Sequence, residues 1–290
     1  MTIVPSELPT ESYPGKISDP TRWGAYEPRP GDIIVNTPPK SGTTWVQSIL
    51  AMLIAADPGV DAELTMKCPW IDINVRPIDE LCARLSEQKH QRQVKSHTPF
   101  DGLPWWDELR YIAVYRHPID VHFSFRRHVE NFQLSMMAPF YPAGPRESFR
   151  LFLEGQQVDE VSLWLIAQHL RATRAREGRE NLLVLHYADM GRDLRGTVAS
   201  IAAHVGIEAS ERLIDAVAEA ATFDNMRANA GRFAPSAWQG DADKDRGFFD
   251  SGSSNKWEGV LTDDDLAAYH ARLAELLGPE DRLWLEQGAG

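Results

Sequence analysis

The sequence predicts an α/β fold: a central, mainly parallel sheet flanked by helices, in a single domain covering 1–290. Three observations carry that expectation. Short apolar runs alternate with longer amphipathic stretches, the pattern of a parallel sheet whose crossovers are helical. The chain has 290 residues, 43% of them hydrophobic, enough for one large core without covalent staples. No linker, internal repeat or low-complexity tract divides it.

Taken in order, Asp32 to Thr37 (DIIVNT) reads as a buried strand. Thr43 to Ala56 follows as a helix, ended by Asp57-Pro58-Gly59. Gln93 to Ser96 and Tyr111 to Tyr115 are the next strands, and a helix starts at Pro118, since proline suits a first turn. Val158 to Glu177 reads as one long helix and Asn181 to Tyr187 as another buried strand. Helices are expected at Asp193 to His204, Ser210 to Ala220 and Asp263 to Leu277. Asn131 to Arg146 and Asn229 to Lys256 mix aromatic residues with proline or glycine and read as long loops. Loops of that length in compact domains serve as lids or binding walls, and Met136 and Met137 mark an expected lid.

The formal net charge of −12 argues against nucleic acid or an acidic membrane surface as partner. An anionic ligand would have to be gripped by local charges against the overall field. Cys68 and Cys82 make no disulfide framework, and the opening MTIVPSELPTESYPG lacks a signal-peptide pattern, so a cytoplasmic protein is expected. No apolar run is long enough to span a bilayer. None of the nine histidines forms an HxxxH pair, and no metal is expected.

The strand DIIVNT runs through Pro38-Pro39-Lys40-Ser41-Gly42-Thr43-Thr44-Trp45 straight into a helix. That order gathers free backbone N–H groups and the positive helix end at one point, a P-loop-like phosphate site. Gly42 permits close approach, Thr43 and Thr44 add hydroxyls, and Lys40 adds charge. The pattern GxxxxGK[ST] is not met, and no clear second acid for Mg²⁺ is present. Taken alone, the loop is equally a capped core helix with a solvated lysine. Downstream, Lys95 and His97 stand two apart on a strand and so face one side. A neighbouring ammonium favours a neutral histidine, the form a general base needs.

PPKSGTTWVQSIL resembles the 5′-phosphosulfate loop of the cytosolic-type sulfotransferase family, whose donor is 3′-phosphoadenosine 5′-phosphosulfate (PAPS) and whose product is PAP. Val94 to Pro99 (VKSHTP) is similar to its histidine-bearing strand, and Tyr115 through Ser124 to its 3′-phosphate motif. Leu185 to Met190 and Thr222 to Met226 resemble its adenine-side segments. The resemblance covers nearly the whole chain, feels closest to bacterial glycolipid or alcohol sulfotransferases, and implies the following roles. Lys40 binds the bridging oxygen, Ser41 to Thr44 the 5′-phosphate, and Arg116 with Ser124 the 3′-phosphate. Trp45 and Phe223 sandwich the adenine, Tyr187 and Thr222 reach it, and Met226 belongs to the same clamp. His97 removes the acceptor's proton, with Lys95 steadying the transferring group.

The family's late motif FFRKGxxGDW is matched at Phe248 to Trp257 with Gly252 in register, but Asp250 and Ser251 replace its Arg-Lys pair. Arg246 or Lys256 could compensate, the donor could bind through the remaining contacts, or the chain could be a catalytically degenerate binding protein. A P-loop phosphoryl transferase is the other alternative. Trp70, Phe100, Trp105, Trp106 and the Phe132 to Tyr141 loop offer apolar walls for a small-molecule or lipid-linked hydroxyl acceptor. The dimerisation motif is poorly matched around Glu258 to Ala267, leaving the oligomeric state open.

Overall fold

Among the described residues, four strands form one wholly parallel sheet in the order β2-β1-β3-β4. They are β1 (Ile33–Asn36), β2 (Gln93–Ser96), β3 (Arg110–Tyr115) and β4 (Leu182–His186). This computed structural model describes residues 3–62, 64–132, 144–156, 158–159, 161–233 and 255–290. The register sets Asn36 opposite both Ser96 and Ala113, and Tyr115 opposite His186.

Both faces of the sheet are buried, as parallel pairing requires. Ile33, Val35, Ile112 and Val114 point to one face and Ile34, Val94, Tyr111, Ala113 and Tyr115 to the other. The first face packs against α1 (Thr43–Ala55), α2 (Leu64–Lys67), α7 (Tyr187–Arg192), α8 (Leu194–His204), α9 (Glu211–Ala220), α10 (Phe223–Ala228) and α11 (Ala230–Phe233). The second is covered chiefly by α4 (Pro118–Phe132), α5 (Pro145–Glu154), α6 (Leu163–Arg174) and the C-terminal helices Asp263–Leu276 and Pro279–Gln287, with α3 (Ile78–Glu87) adding Leu85 at its margin. At the N-terminal ends of β1 and β2, the buried Arg92 guanidinium donates to Asp32, which also accepts from the Tyr26 hydroxyl at 2.7 Å. That end is pinned, and the opposite end carries the site.

Several boundaries differ from expectation. The helix read over Val158 to Glu177 begins only at Leu163, because the Ser162 hydroxyl accepts from the Leu165 amide and caps it there. Tyr187 is the first residue of α7 rather than the last of a strand, since the His186 ring accepts from the Ala188 amide. Helices α3, α5 and Pro279–Gln287 were missed, although proline opens or immediately precedes each. The two expected loops were drawn too wide. Asn131 and Phe132 end α4, Pro145 and Arg146 begin α5, and Ala230–Phe233 is helical. The Met136–Met137 lid, Arg246, Phe248, Phe249, Asp250, Ser251 and Gly252 lie outside the described residues. Among the described residues, no helix is long and apolar enough to cross a membrane.

Candidate active site

Each strand hands one expected residue to the carboxyl edge of the sheet, where open α/β sheets hold their ligands. The Thr37 to Gly42 loop follows β1, His97 follows β2, Arg116 follows β3 and Tyr187 follows β4. Parallel pairing in this register is what assembles them from positions scattered over the chain.

Beside β2 lies the half that carries Lys95 and His97. His97 Nδ1 is 2.6 Å from the Thr37 carbonyl. A carbonyl only accepts, so Nδ1 carries the proton and Nε2 keeps the lone pair. Burial, then the Lys95 ammonium, lowers the His97 pKa to about 3, so the ring is neutral as expected, though burial rather than Lys95 is the larger cause. Burial also lowers Lys95 to about 8. Both side chains meet Trp70: its ring is 4.6 Å from the His97 ring, edge to face, and 5.1 Å from Lys95 Nζ. The two side chains expected to face one side thus share one aromatic neighbour, with His97 just past the end of β2.

Three residues here escaped the sequence reading. His169 on α6 packs Nε2 2.7 Å from the His97 carbonyl, which makes it a donor there. Asp72 accepts from the Trp70 indole at 2.6 Å and from Ser96 Oγ at 2.5 Å. His128 on α4 is held down to about 2 by burial and then by the charges of Lys40 and Lys95. None belongs to a recognisable spacing; only Asp72, in the Cys68 to Asp72 run beside Trp70, offered a hint.

The second half surrounds Tyr187. The Arg116 guanidinium lies over its ring at 4.3 Å, and the Trp45 ring meets it edge-on at 5.1 Å. Gly42 sits at φ 119°, and a Cβ there would come within 3.3 Å of both Tyr187 and Val114. Trp45 also donates its indole N–H to the Ala221 carbonyl at 2.8 Å, bringing it to the junction that precedes Thr222 and Phe223. Phe223 packs with Trp45 on the same core face. The Thr222 hydroxyl donates to the Glu219 carbonyl and caps α10, so its donor is already engaged. Met226 is 2% exposed, a core residue with little surface for a ligand. Ser124 is half-buried on α4, one turn beyond Asp120. Asp120 accepts from the Asn255 amide at 2.8 Å, and Trp257 stacks near His117, so the chain re-enters at the Arg116 motif after 254.

The loop suits an anion. Gly42 gives α1 no side-chain cap, leaving its first-turn N–H groups available. Ser41 Oγ is buried without a hydrogen-bond partner among the described residues. Lys40 is wound into the left-handed region at φ 63° and Thr43 Oγ1 is 2.5 Å from Thr37 Oγ1. Three expected wall residues are not at the site. Phe100, Trp105 and Trp106 are core, and Trp105 stacks on Tyr111 at 3.8 Å near the opposite, N-terminal end of β3.

The sulfotransferase domain family matches residues 30–279. The chain is 31% identical to the glycolipid sulfotransferase of Mycobacterium bovis (strain BCG), over 95% of this chain and 94% of that one. It is 31% identical to the amine sulfotransferase of Oryctolagus cuniculus over 70% of this chain and 65% of that one. Retinol dehydratase in complex with retinol and PAP shares the fold at TM-score 0.73 and 18% identity, covering 89% of this chain and 84% of that one. Mouse sulfotransferase SULT7A1 complexed with PAP does so at TM-score 0.69 and 20% identity, covering 90% of each. With the domain matched over most of its length and a relative aligned almost end to end, the chain belongs to the sulfotransferase family and is a sulfotransferase.

Proposed function

We propose that this protein moves a sulfuryl group from PAPS to a hydroxyl of an alcohol, phenol or glycolipid, with His97 as general base. The observation that carries the reading is the His97 tautomer: Nδ1 tied to Thr37 turns a neutral, lone-pair Nε2 to the site. PAPS supplies the activated sulfuryl group. The acceptor hydroxyl loses its proton to His97 as its oxygen bonds to sulfur and the bond from sulfur to the 5′-phosphate breaks. Lys95 opposes charge on the sulfuryl oxygens, and Lys40 with the uncapped start of α1 takes up charge on the leaving phosphate. Arg116 and Ser124 hold the 3′-phosphate, while Trp45, Tyr187 and Phe223 provide aromatic surface for the base. The glycolipid class is favoured by the name of the mycobacterial relatives. Cys68 and Cys82 are free thiols, in keeping with a cytoplasmic enzyme of one domain.

Calorimetric titration with PAP, with ADP and ATP–Mg²⁺ as controls, tests the donor. Preferential PAP binding supports the reading despite Asp250 and Ser251. Preference for ATP–Mg²⁺ would move the protein to phosphoryl transfer, and no binding at all to a degenerate fold.

A further inference from the structure

We propose that Asp72 is a positioning residue for sulfuryl transfer, holding the His97 backbone and the Trp70 ring in one arrangement. It touches neither reacting group; it acts through their neighbours. Pro69 to Ile71 add a short parallel bridge to the edge of the sheet at Lys95. The Lys95 amide donates to the Pro69 carbonyl at 2.9 Å, and the Ile71 amide to the Lys95 carbonyl at 3.2 Å. This lays Trp70 opposite Lys95, and the next turn brings the Asp72 carboxylate, 2% exposed, beneath the pair.

Asp72 collects donors only. Oδ1 accepts from Trp70 Nε1, and Oδ2 accepts from Ser96 Oγ at 2.5 Å and Trp23 Nε1 at 3.2 Å. Ser96 Oγ in turn accepts from the Thr98 amide at 3.0 Å. Ser96 and Thr98 flank His97, so one carboxylate ties the backbone on both sides of the base and the ring beside it. Donors from Trp70, Ser96, Trp23 and Thr98 suit the ionised form, and these hydrogen bonds oppose the burial that raises its pKa. An anchor of this kind restrains the rotor of the base within the narrow range that transfer geometry tolerates.

The carboxylate also acts on Lys95 by charge. Among the described residues, Lys95 interacts by charge with Cys68, Asp72, His97 and His128. Burial keeps the Cys68 thiol protonated and both histidines neutral, and the hydrogen bonds to Asp72 favour its ionised form against the burial that raises its pKa. Removing its charge lowers the Lys95 pKa further, and the alkaline limb of kcat moves to lower pH.

The test measures kcat, KM for PAPS and the pH profile of kcat, with para-nitrophenol and octyl glucoside as acceptors. Asp72→Asn and Trp70→Phe should each lower kcat about tenfold, with KM for PAPS within about twofold, and Asp72→Asn should also shift the alkaline limb downward. The double variant should lose little more than the worse single one, because both act along one path. Trp23→Phe removes a hydrogen bond from the same oxygen but leaves Trp70 alone; it should lower Tm while kcat and its pH profile stay unchanged. The proposal is overturned if Asp72→Asn keeps kcat and the alkaline limb, whatever its Tm, or if the two losses multiply. Should Asp72→Asn not fold, an unchanged kcat in Trp70→Phe overturns it equally. The proposal rests on the transfer reading: a wild type that binds PAP but sulfates neither acceptor overturns that reading, whereas an active wild type with an indifferent Asp72→Asn overturns this proposal alone.

Discussion

The two halves of the site use opposite electrostatics. Beside β2, ionisable groups are drawn out of water until their charge is precarious: His97 is held neutral down to about 3 and Lys95 is charged only up to about 8. Beside β3 and β4, the Arg116 cation is delocalised and laid on the Tyr187 ring, with Trp45 at its edge. In the proposed reaction His97 must be unprotonated to accept a proton, and burial holds it so. A group that grips a phosphate is better served by a cation that does not titrate. The division predicts that lesions in one half change the rate and lesions in the other change affinity.

The largest break should come from His97→Ala, which is expected to lower kcat by about a hundred- to ten-thousandfold while PAP affinity stays nearly intact. Equal losses of both would dissolve the division. Arg116→Ala should act the other way, weakening PAP binding by about ten- to a hundredfold by calorimetry, the worth of one charge-assisted contact. A rate defect at saturating PAPS without an affinity loss would move Arg116 into the other half.

The pH profile sharpens the contrast. A lowered Lys95 pKa means that the ammonium is present below about 8 and lost above it, so kcat should fall as pH rises through that value. The His97 pKa near 3 places its protonation well below the working range, so no acid limb is expected between about pH 5 and 7. PAP affinity should show neither feature of the rate profile. The smallest effect is reserved for Trp257→Ala, which unstacks the returning chain from His117 and should weaken PAP binding about two- to tenfold.

Much of the site was legible because it is local. The strand–loop–helix from Asp32 to Ala56 contains its own explanation: an apolar run, a glycine that must adopt positive φ, then helix-compatible residues. Lys95 on β2 and His97, the residue just past its end, stand two apart, and both meet the Trp70 ring. Phe100, Trp105 and Trp106 were misread as walls because an aromatic side chain has the same identity in a core as in a pocket. Only the register, which puts Trp105 before β3 rather than after it, distinguishes them. Met226 and the Thr222 hydroxyl were similarly claimed by packing and capping.

The sequence by itself determined the α/β class and picked out the Thr37 to Gly42 loop, Lys95, His97 and Arg116 as the residues proposed for the site, since each stands out by neighbours within a few residues. The tertiary structure decided the His97 tautomer, its neutrality by burial, the meeting of Arg116 with Tyr187, and the Asp72 network. Those depend on groups from separate strands and loops: Thr37 stands 60 residues from His97, and Asp72 stands 24 from Ser96. A hydrogen bond or a desolvation cost belongs to a place, and no spacing along the chain encodes a place until the sheet has closed.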